Sequence, residues 1–212
     1  MTSSENTGAA RMREERRAQI ISAAKAVFAE RGYHKASVND VIERAGIARG
    51  TFYLYFTGMA NVFASLLEAA MRELRGRIRR IDVGPGAEAP EAQLRAMLRA
   101  VVEAALADRH FTTLLLSLWL SPDEEIAGSV ASFYAHVTDL LAGALEHGLR
   151  MGLVRPCDPA LVAPWLLGGV RGGLAHLLAA DPPPALDDVV ETWIGLAVRG
   201  VGIAGSWTPQ KG

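Results

Sequence analysis

Residues 37–56, Ser-Val-Asn-Asp-Val-Ile-Glu-Arg-Ala-Gly-Ile-Ala-Arg-Gly-Thr-Phe-Tyr-Leu-Tyr-Phe, predict two short helices joined by a tight turn. Ser37 is placed as an N-cap, and Asp40 three residues later gives a variant of the capping box, with Asp in place of Glu or Gln. Gly46 lies where a left-handed residue can end a helix without a Cβ penalty. The pattern is therefore typical of a helix-turn-helix.

The second of these helices carries several side chains that can form hydrogen bonds: Arg49, Thr51, Tyr53 and Tyr55. A helix in the core of a soluble enzyme would not present such a face, whereas a helix placed in a DNA groove would. Phe52 and Phe56, by contrast, are expected to anchor the helix in the core of its own domain. The stretch therefore predicts a DNA-binding function.

The charge distribution agrees with a DNA-binding first part. The chain has 212 residues, half of them hydrophobic, and a net charge of −1. Residues 1–81 carry a net charge of +6 and residues 82–212 a net charge of −7. A basic N-terminal part joined to an acidic remainder fits a head that binds a polyanion and a body with another role.

The rest of the composition predicts a cytoplasmic protein. Cys157 is the single cysteine, so an internal disulfide is excluded and a reducing compartment is the simple interpretation. The first ten residues contain no apolar secretory segment. Apolar runs are broken by Gly, Pro or Arg well before the ~20 residues that a membrane span needs, so we expect none.

Helical periodicity extends over almost the whole chain, which predicts an all-α fold of about nine helices. Residues 1–10 are expected to be disordered, residues 11–58 to form a three-helix head, and residues 59–206 to form a larger lobe that binds an effector and dimerises. Helices are expected over residues 13–31, 59–81, 90–107, 111–120, 121–151, 158–180 and 186–204. The expected caps include Ser121, with Pro122 as the first helical residue, and Asp158.

The start of the first helix is strongly basic, with Arg11, Arg13, Arg16 and Arg17. Positive charge is unfavourable at a helix N-terminus, so a DNA phosphate nearby would explain it. A solvated charged face, balanced by Glu14 and Glu15, is the alternative.

The last two helices are rich in glycine and apolar on more than one side, which predicts a dimer interface. Glycines four residues apart form a smooth face that another helix can approach closely. The alternative is that both helices only close the core of the monomer. The candidate interface residues are Gly168, Gly169, Gly172, Gly173, Trp193, Gly195 and Gly200.

Residues 14–74 resemble the DNA-binding domain of the TetR family of bacterial transcriptional regulators. The resemblance is carried by residues 45–56, Ala-Gly-Ile-Ala-Arg-Gly-Thr-Phe-Tyr-Leu-Tyr-Phe, and by Ala23, Ala24, Phe28, Gly32, Tyr33 and Ser37-Val38 upstream. It implies a homodimer in which each head places its third helix in a major groove of a palindromic operator. It also implies a ligand pocket in the second lobe that is coupled to the spacing of the heads.

Within this resemblance, each residue of the motif has an expected role. Thr51 and Tyr53 would donate hydroxyls to phosphate, Arg49 would read guanine, and Asn39 could reach a base edge. Gly50 either lets DNA approach closely or fills a crowded position. The candidate DNA-binding set is Lys35, Ser37, Val38, Asn39, Ala48, Arg49, Gly50, Thr51, Tyr53 and Tyr55. Two positions depart from the family pattern: Ala48 stands where Ser is frequent, and Met59 where a phosphate-binding Lys is frequent.

The second lobe offers candidate ligand-binding residues but no motif. They are polar or aromatic side chains on apolar helices: His110, Trp119, Phe133, Tyr134, His136, Trp165, Arg171 and His176. Arg171 is the most informative of them, because a buried Arg needs an anion or a carboxylate partner, either in a ligand or across a dimer. For each of the others, packing in the core or dimer is the competing interpretation.

The leading hypothesis is a ligand-responsive DNA-binding regulator, a repressor released from its operator by a partly apolar small molecule. An all-helical enzyme and a helical protein-binding adaptor are the alternatives. Against an enzyme, the sequence shows no Gly-rich phosphate loop after a strand, no Ser/His/Asp-like motif and no recognisable pair of carboxylates. No cofactor is expected, and no metal site, because His136 and His147 are about 16 Å apart along one helix and Cys157 has no ligand-like neighbours.

Overall fold

The fold is all-α in the computed structural model, which describes residues 2–121 and 123–200. Nine α-helices occupy this part of the chain: α1 Thr2–Arg31, α2 Val38–Ala45, α3 Arg49–Tyr53, α4 Met59–Arg77, α5 Pro90–Ala107, α6 Arg109–Ser117, α7 Glu124–Arg150, α8 Pro159–Ala179 and α9 Leu186–Gly200. Single 3-10 turns lie at Tyr33–Lys35 and Leu118–Leu120. The expected end of the lobe, residues 201–206, lies outside the described residues.

Helix α1 begins at Thr2, well before the expected start near residue 13. Residues 2–10, which the sequence predicted to be disordered, are therefore described as helix. The segment contains no proline that would stop a helix, and extending an existing helix is much easier than starting one. Residues 8–10 are exposed, so packing does not hold them.

The head consists of α1, α2 and α3 packed against the start of α4. Phe52 and Phe56 are both fully buried, as expected for anchors of the recognition helix. Their rings lie 6.0 Å apart. Burying two aromatic side chains contributes several kcal/mol to a small domain, which fixes the direction of α3.

The apolar core is continuous across the expected boundary between residues 58 and 59. One cluster of buried side chains joins Phe52 in the head to Phe63 on α4 and to Leu114, Ile126 and Val130 in the lobe. Since α4 belongs to both parts, a displacement of this helix must be felt in both.

The lobe is built around two helix pairs, α7 with α8 and α5 with α9. Arg95 on α5 donates to Glu191 on α9 across 2.6 Å, and Arg99 pairs with Asp187. A second, smaller apolar cluster fills the space beneath them, with Val102, Leu174, Leu177 and Val189.

Three expected helix ends in the lobe are corrected. Helix α4 ends at Arg77, and residues 78–81 are not helical. Helix α6 ends at Ser117, ahead of the 3-10 turn. The N-cap of α7 is Asp123, not Ser121, because the Asp123 carboxylate accepts hydrogen bonds from the amides of Glu125 and Ile126. The Asp158 cap of α8 is confirmed.

Helix α8 has a largely exposed apolar face. Leu161 is 73% exposed and Trp165 is 64% exposed. Among the described residues, α8 is the one helix that is long and apolar enough to cross a membrane by length and composition alone. The sequence predicted no membrane span here, because Pro164 and Arg171 interrupt the apolar run. The buried side chains Ala163, Leu174 and Leu177 show that the opposite face packs in the lobe.

Candidate DNA-binding surface and effector cavity

The capping box at Ser37 and Asp40 is present and fixes the start of α2. The Asp40 amide donates to Ser37 Oγ at 3.3 Å, and the Ser37 amide donates to the Asp40 carboxylate at 2.9 Å. The Ser37 hydroxyl and the Ser37 amide, together with the nearby Arg31 guanidinium, hold the pKa of the Asp40 carboxyl below its usual range. Asp40 is therefore a charged cap at neutral pH.

The turn between α2 and α3 has the expected left-handed glycine. Gly46 has φ 61° and ψ 41°, and its amide bonds the carbonyls that end α2. Ala48 is the N-cap of α3 and supplies no side-chain hydrogen bond. The amides at the start of α3 consequently have no side-chain oxygen to satisfy them, and a DNA phosphate can do so.

Arg49 is held in position by two neighbours on the head surface. Its Nη1 donates to Asn39 Oδ1 at 3.2 Å. Its guanidinium lies over the Tyr53 ring, 5.8 Å from the ring centroid. All three side chains are exposed. The fork of Arg49 is thus oriented before any DNA is bound.

The surface around Gly50 is open. A Cβ at Gly50 would meet nothing within 4 Å, so crowding inside the chain does not explain this glycine. Of the two interpretations of Gly50, close approach of DNA is the one that this open space favours. Lys35 and Ser37 are exposed beside this surface, whereas Val38, Thr51 and Tyr55 are half-buried. Val38 and Tyr55 pack against the main apolar cluster, so part of each side chain is structural.

Leu54 is a surface residue that the sequence analysis did not single out. It caps the C-terminal end of α3 and is 81% exposed. An apolar side chain on a face otherwise made of hydroxyls and charge suits contact with a thymine methyl group. Its position in the motif, between Tyr53 and Tyr55, is the feature of the sequence that indicates it.

The basic stretch from Arg11 to Arg17 lies inside α1 and not at its N-terminus, and part of its charge is used within the chain. Arg11 pairs with Glu15 at 2.8 Å, as the alternative of a balanced charged face expected. Arg17 donates to Ser65 Oγ on α4 at 2.8 Å and lies over the Phe56 ring. Arg17 therefore joins α1 to α4 and is not simply a surface charge.

A second connection joins the head directly to the lobe. Lys25 on α1 forms an ion pair with Asp108 and lies 5.4 Å from the centroid of the Phe111 ring. The other oxygen of the Asp108 carboxylate accepts from the Phe111 amide at 3.3 Å and caps α6. One carboxylate thus serves both the head contact and the helix start.

The lobe contains a cavity of about 590 Å³, a size typical of small-molecule sites. Its wall is mainly aliphatic and comes from α4, α5, α7, α8, α9 and the non-helical segment 78–81. Representative wall residues are Leu74, Ile78, Leu98, Leu141, Leu166 and Val170. An apolar molecule, or the apolar part of one, fits such a wall.

The charged residues at this cavity are predominantly positive. Arg79, Arg80 and Arg150 line it and are exposed, while Asp139 is the single carboxylate among its lining residues. His147 lies with them. The cavity therefore combines an aliphatic interior with a cationic edge.

The eight sequence-predicted ligand residues do not line this cavity. Trp119, Tyr134 and Arg171 instead come together elsewhere, and Phe133 lies 5.4 Å from Tyr134 between ring centroids. The remaining four are exposed: His110, His136, Trp165 and His176. Among the described residues, no three His, Cys, Asp or Glu side chains are grouped as they would be around a metal ion.

The predicted interface glycines have different surroundings. A Cβ at Gly173 would lie 2.1 Å from the Trp193 ring, so Gly173 and Trp193 pack against each other within one chain. A Cβ at Gly195 would lie 2.8 Å from the flexible end of Arg199. The others have open space around them within the chain: Gly168, Gly169, Gly172 and Gly200.

Family models match both parts of the chain. Residues 20–66 match "Bacterial regulatory proteins, tetR family", and residues 87–174 match "Tetracyclin repressor-like, C-terminal domain". A helix-turn-helix head with an open recognition helix, joined to a helical lobe that holds a cavity, defines a ligand-responsive DNA-binding transcriptional regulator. The chain belongs to the TetR family.

Individual relatives and solved structures agree with this assignment. The chain is 30% identical over 191 residues to the transcriptional regulator TtgR of Pseudomonas putida, covering 85% of this chain and 89% of that protein. It is 27% identical over 177 residues to the fatty acid metabolism regulator protein of Bacillus subtilis, with 83% and 82% covered.

Two solved structures have the same fold. The fatty acid degradation regulator FadR of Bacillus halodurans superposes with a TM-score of 0.75 at 25% identity, over 89% of this chain and 97% of that one. FadR of Bacillus subtilis in complex with stearoyl-CoA superposes with a TM-score of 0.73 at 21% identity, over 86% and 98%.

Proposed function

We propose that the protein is a homodimeric repressor of the bacterial cytoplasm that leaves a palindromic operator when an effector binds the lobe cavity. The observation that carries this proposal is the double role of α4. Val62 and Phe63 at its start are buried in the core shared with the head, and Leu74 at its end lines the cavity. An effector that prefers one position of α4 therefore changes the position of the head.

The DNA contacts follow from the geometry of the head. Arg49, oriented by Asn39, would read a base, while Thr51, Tyr53 and Lys35 would contact phosphates. The Val38 amide at the start of α2 would contribute a backbone contact, because the Ser37 amide and hydroxyl are already used in the capping box. In a dimer, two such heads read half-sites separated by about 34–36 Å along the DNA.

The dimer would form through the exposed face of α8 and α9. Leu161, Trp165 and Leu196 are exposed there, close in sequence to the open glycines. An apolar face of this kind is typical of an interface between copies of a chain. A Trp165→Asp variant is expected to be monomeric at micromolar concentration in light scattering. Leu54 is an even more exposed apolar residue in the head, so Leu54→Asp is the control and should leave the dimer unchanged.

The effector would be an amphipathic anion with a long apolar chain. The aliphatic wall suits the chain, and Arg79, Arg80 and Arg150 suit an anionic group at the cavity edge. The names of the relatives point the same way, since one is a fatty acid metabolism regulator and one solved neighbour holds stearoyl-CoA. We therefore propose a fatty acyl thioester of coenzyme A as the effector class.

The experiment is operator release measured by fluorescence anisotropy with DNA from upstream of the protein's own gene. Palmitoyl-CoA is expected to release wild-type protein, whereas coenzyme A alone should not, because it lacks the chain. A Leu141→Trp variant fills the cavity and should bind operator but resist release. Release that is equally strong in this variant, or equally strong with coenzyme A, would contradict the proposed effector site.

A further inference from the structure

Three side chains outside the cavity form a compact cationic and aromatic cluster. The guanidinium carbon of Arg171 on α8 lies 3.9 Å from the ring centroid of Trp119 and 4.4 Å from that of Tyr134 on α7. The two rings are 4.9 Å apart and inclined by 75°. Two ring faces thus hold the cation in one place, which is a favourable arrangement for a positive charge.

Two polar atoms of this cluster are buried without a hydrogen-bond partner. They are Arg171 Nε and the Tyr134 hydroxyl, and neither donates a hydrogen bond to a described residue. Tyr134 is only 5% exposed. Leaving a buried polar group unpaired is costly, and native proteins rarely do so without a reason. Since an Nε–H and a hydroxyl can both donate, a carboxylate, whose two oxygens can each accept, is able to satisfy both.

The charge of the cluster favours a single carboxylate. Arg171 forms none of the ion pairs found among the described residues, so its one positive charge is not balanced by an acidic side chain there. Burial raises the pKa of the Tyr134 hydroxyl, and the Arg171 charge offsets part of this rise. The hydroxyl therefore remains a donor at neutral pH. A monoanion with two oxygens matches one cation and two donors.

The open side of the cluster is an aromatic surface. Trp119 is 41% exposed while its ring contacts both partners, so part of the indole faces outward. A flat ring next to a bound carboxylate can stack on such a surface. We propose that Arg171 and Tyr134 bind the carboxylate of a small aromatic acid, whose ring stacks on Trp119.

This carboxylate site is separate from the effector cavity but shares a wall with it. Neither Tyr134 nor Arg171 lines the cavity, although Val137, one turn along α7, and Val170, next to Arg171, both do. The carboxylate site does not depend on the proposed acyl-CoA effector. A molecule bound there would contact the same two helices that enclose the cavity.

The test uses benzoate as the probe and benzamide as its uncharged counterpart, with the full-length protein and isothermal titration calorimetry. Wild-type protein is expected to bind benzoate saturably, one per chain, and to bind benzamide at least about tenfold more weakly, because benzamide lacks the charge. Absence of benzoate binding, or equal binding of benzamide, would overturn the proposal without the need for any variant.

Variants locate the site. Tyr134→Phe removes one hydroxyl and should weaken benzoate binding by roughly three- to tenfold, while Arg171→Met keeps the apolar stem and should weaken it more than tenfold. Arg199→Met, which changes an exposed arginine on α9, is the matched control and should have no effect. Circular dichroism confirms that each variant is folded. Unchanged affinity in Arg171→Met would contradict the assignment.

The cavity variant separates this proposal from the proposed effector. Leu141→Trp is expected to abolish release by palmitoyl-CoA and to leave benzoate binding intact. Loss of benzoate binding in Leu141→Trp would show that the probe occupies the cavity, and the carboxylate site would then be rejected.

Discussion

Arg49 Nη1 and Asn39 Oδ1 lie 3.2 Å apart, so a side chain of α2 holds the main base-reading candidate of α3. Arg49→Ala is expected to weaken operator binding by about 1–3 kcal/mol and to relax specificity at one base pair. Asn39→Ala should cost less, because Arg49 is then present but less well oriented. The measurement is fluorescence anisotropy at fixed salt on the operator and on single-base variants of it.

The double variant distinguishes positioning from independent contacts. If Asn39 acts through Arg49, the loss in Asn39→Ala/Arg49→Ala should be smaller than the sum of the two single losses. Strictly additive losses would indicate that Asn39 contacts DNA by itself. Tyr53→Phe, which keeps the ring under Arg49, should weaken binding to all operator variants about equally.

Lys35 and Met59 should set the salt dependence of operator binding. Lys35 is exposed beside the recognition surface, whereas Met59 packs against the head core at the start of α4. Lys35→Met should make the slope of log affinity against log salt shallower by about 1 per subunit. Met59→Lys should make it steeper by about 0.9 per subunit, if the added charge reaches a phosphate. An unchanged slope in Met59→Lys would show that it does not.

Gly173 and Gly172 form a matched pair on α8. A Cβ at Gly173 would collide with Trp193, whereas one at Gly172 would meet nothing within the chain. Gly173→Ala is therefore expected to destabilise the protein by about 1–3 kcal/mol in urea unfolding. Because no described atom lies within 4 Å of a Cβ at Gly172, Gly172→Ala should be neutral or stabilise the monomer by up to about 1 kcal/mol, since alanine favours helix. Equal effects of both changes would contradict the close Gly173–Trp193 packing.

The capping box should make the head sensitive to acid. The pKa of Asp40 is lowered in the folded protein, so its contribution to stability is present above the unfolded pKa of about 4. This contribution is lost as the pH falls through the lower folded pKa. Asp40→Asn should remove this part of the pH dependence, as urea midpoints at pH 7 and pH 3 would show. Ser37→Ala should cost about 1 kcal/mol at pH 7.

The head could be predicted from the sequence because its signals are local. The caps at Ser37 and Gly46 fix both ends of α2, and the alternation of buried Phe52 and exposed Tyr53 follows from the helical period. The lack of a side-chain hydrogen bond from the N-cap residue Ala48 was also predictable, because alanine has no side-chain acceptor. Leu54 was not predicted, because its side chain forms no hydrogen bonds and hydrogen-bonding side chains carried the prediction of the DNA-binding face.

The cavity could not be predicted in the same way. Its wall is made of aliphatic residues such as Leu98 and Leu141, which have the same pattern as an ordinary core. Whether such side chains touch or enclose a cavity depends on how the helices pack against one another, and no short stretch of sequence encodes that packing. Arg79 and Arg80 were predicted at the end of a helix, but the chain is not helical there and both residues line the cavity.

Because the carboxylate of Asp108 contacts both the head and α6, the start of α6 is sensitive to the position of the head. One of its oxygens pairs with Lys25 of the head, and the other accepts from the Phe111 amide at the first turn of α6. A head that moves away leaves this carboxylate less restrained, and the cap on α6 weakens with it. Hydrogen exchange at a single amide, that of Phe111, should then report how far the head has moved, even in the absence of DNA.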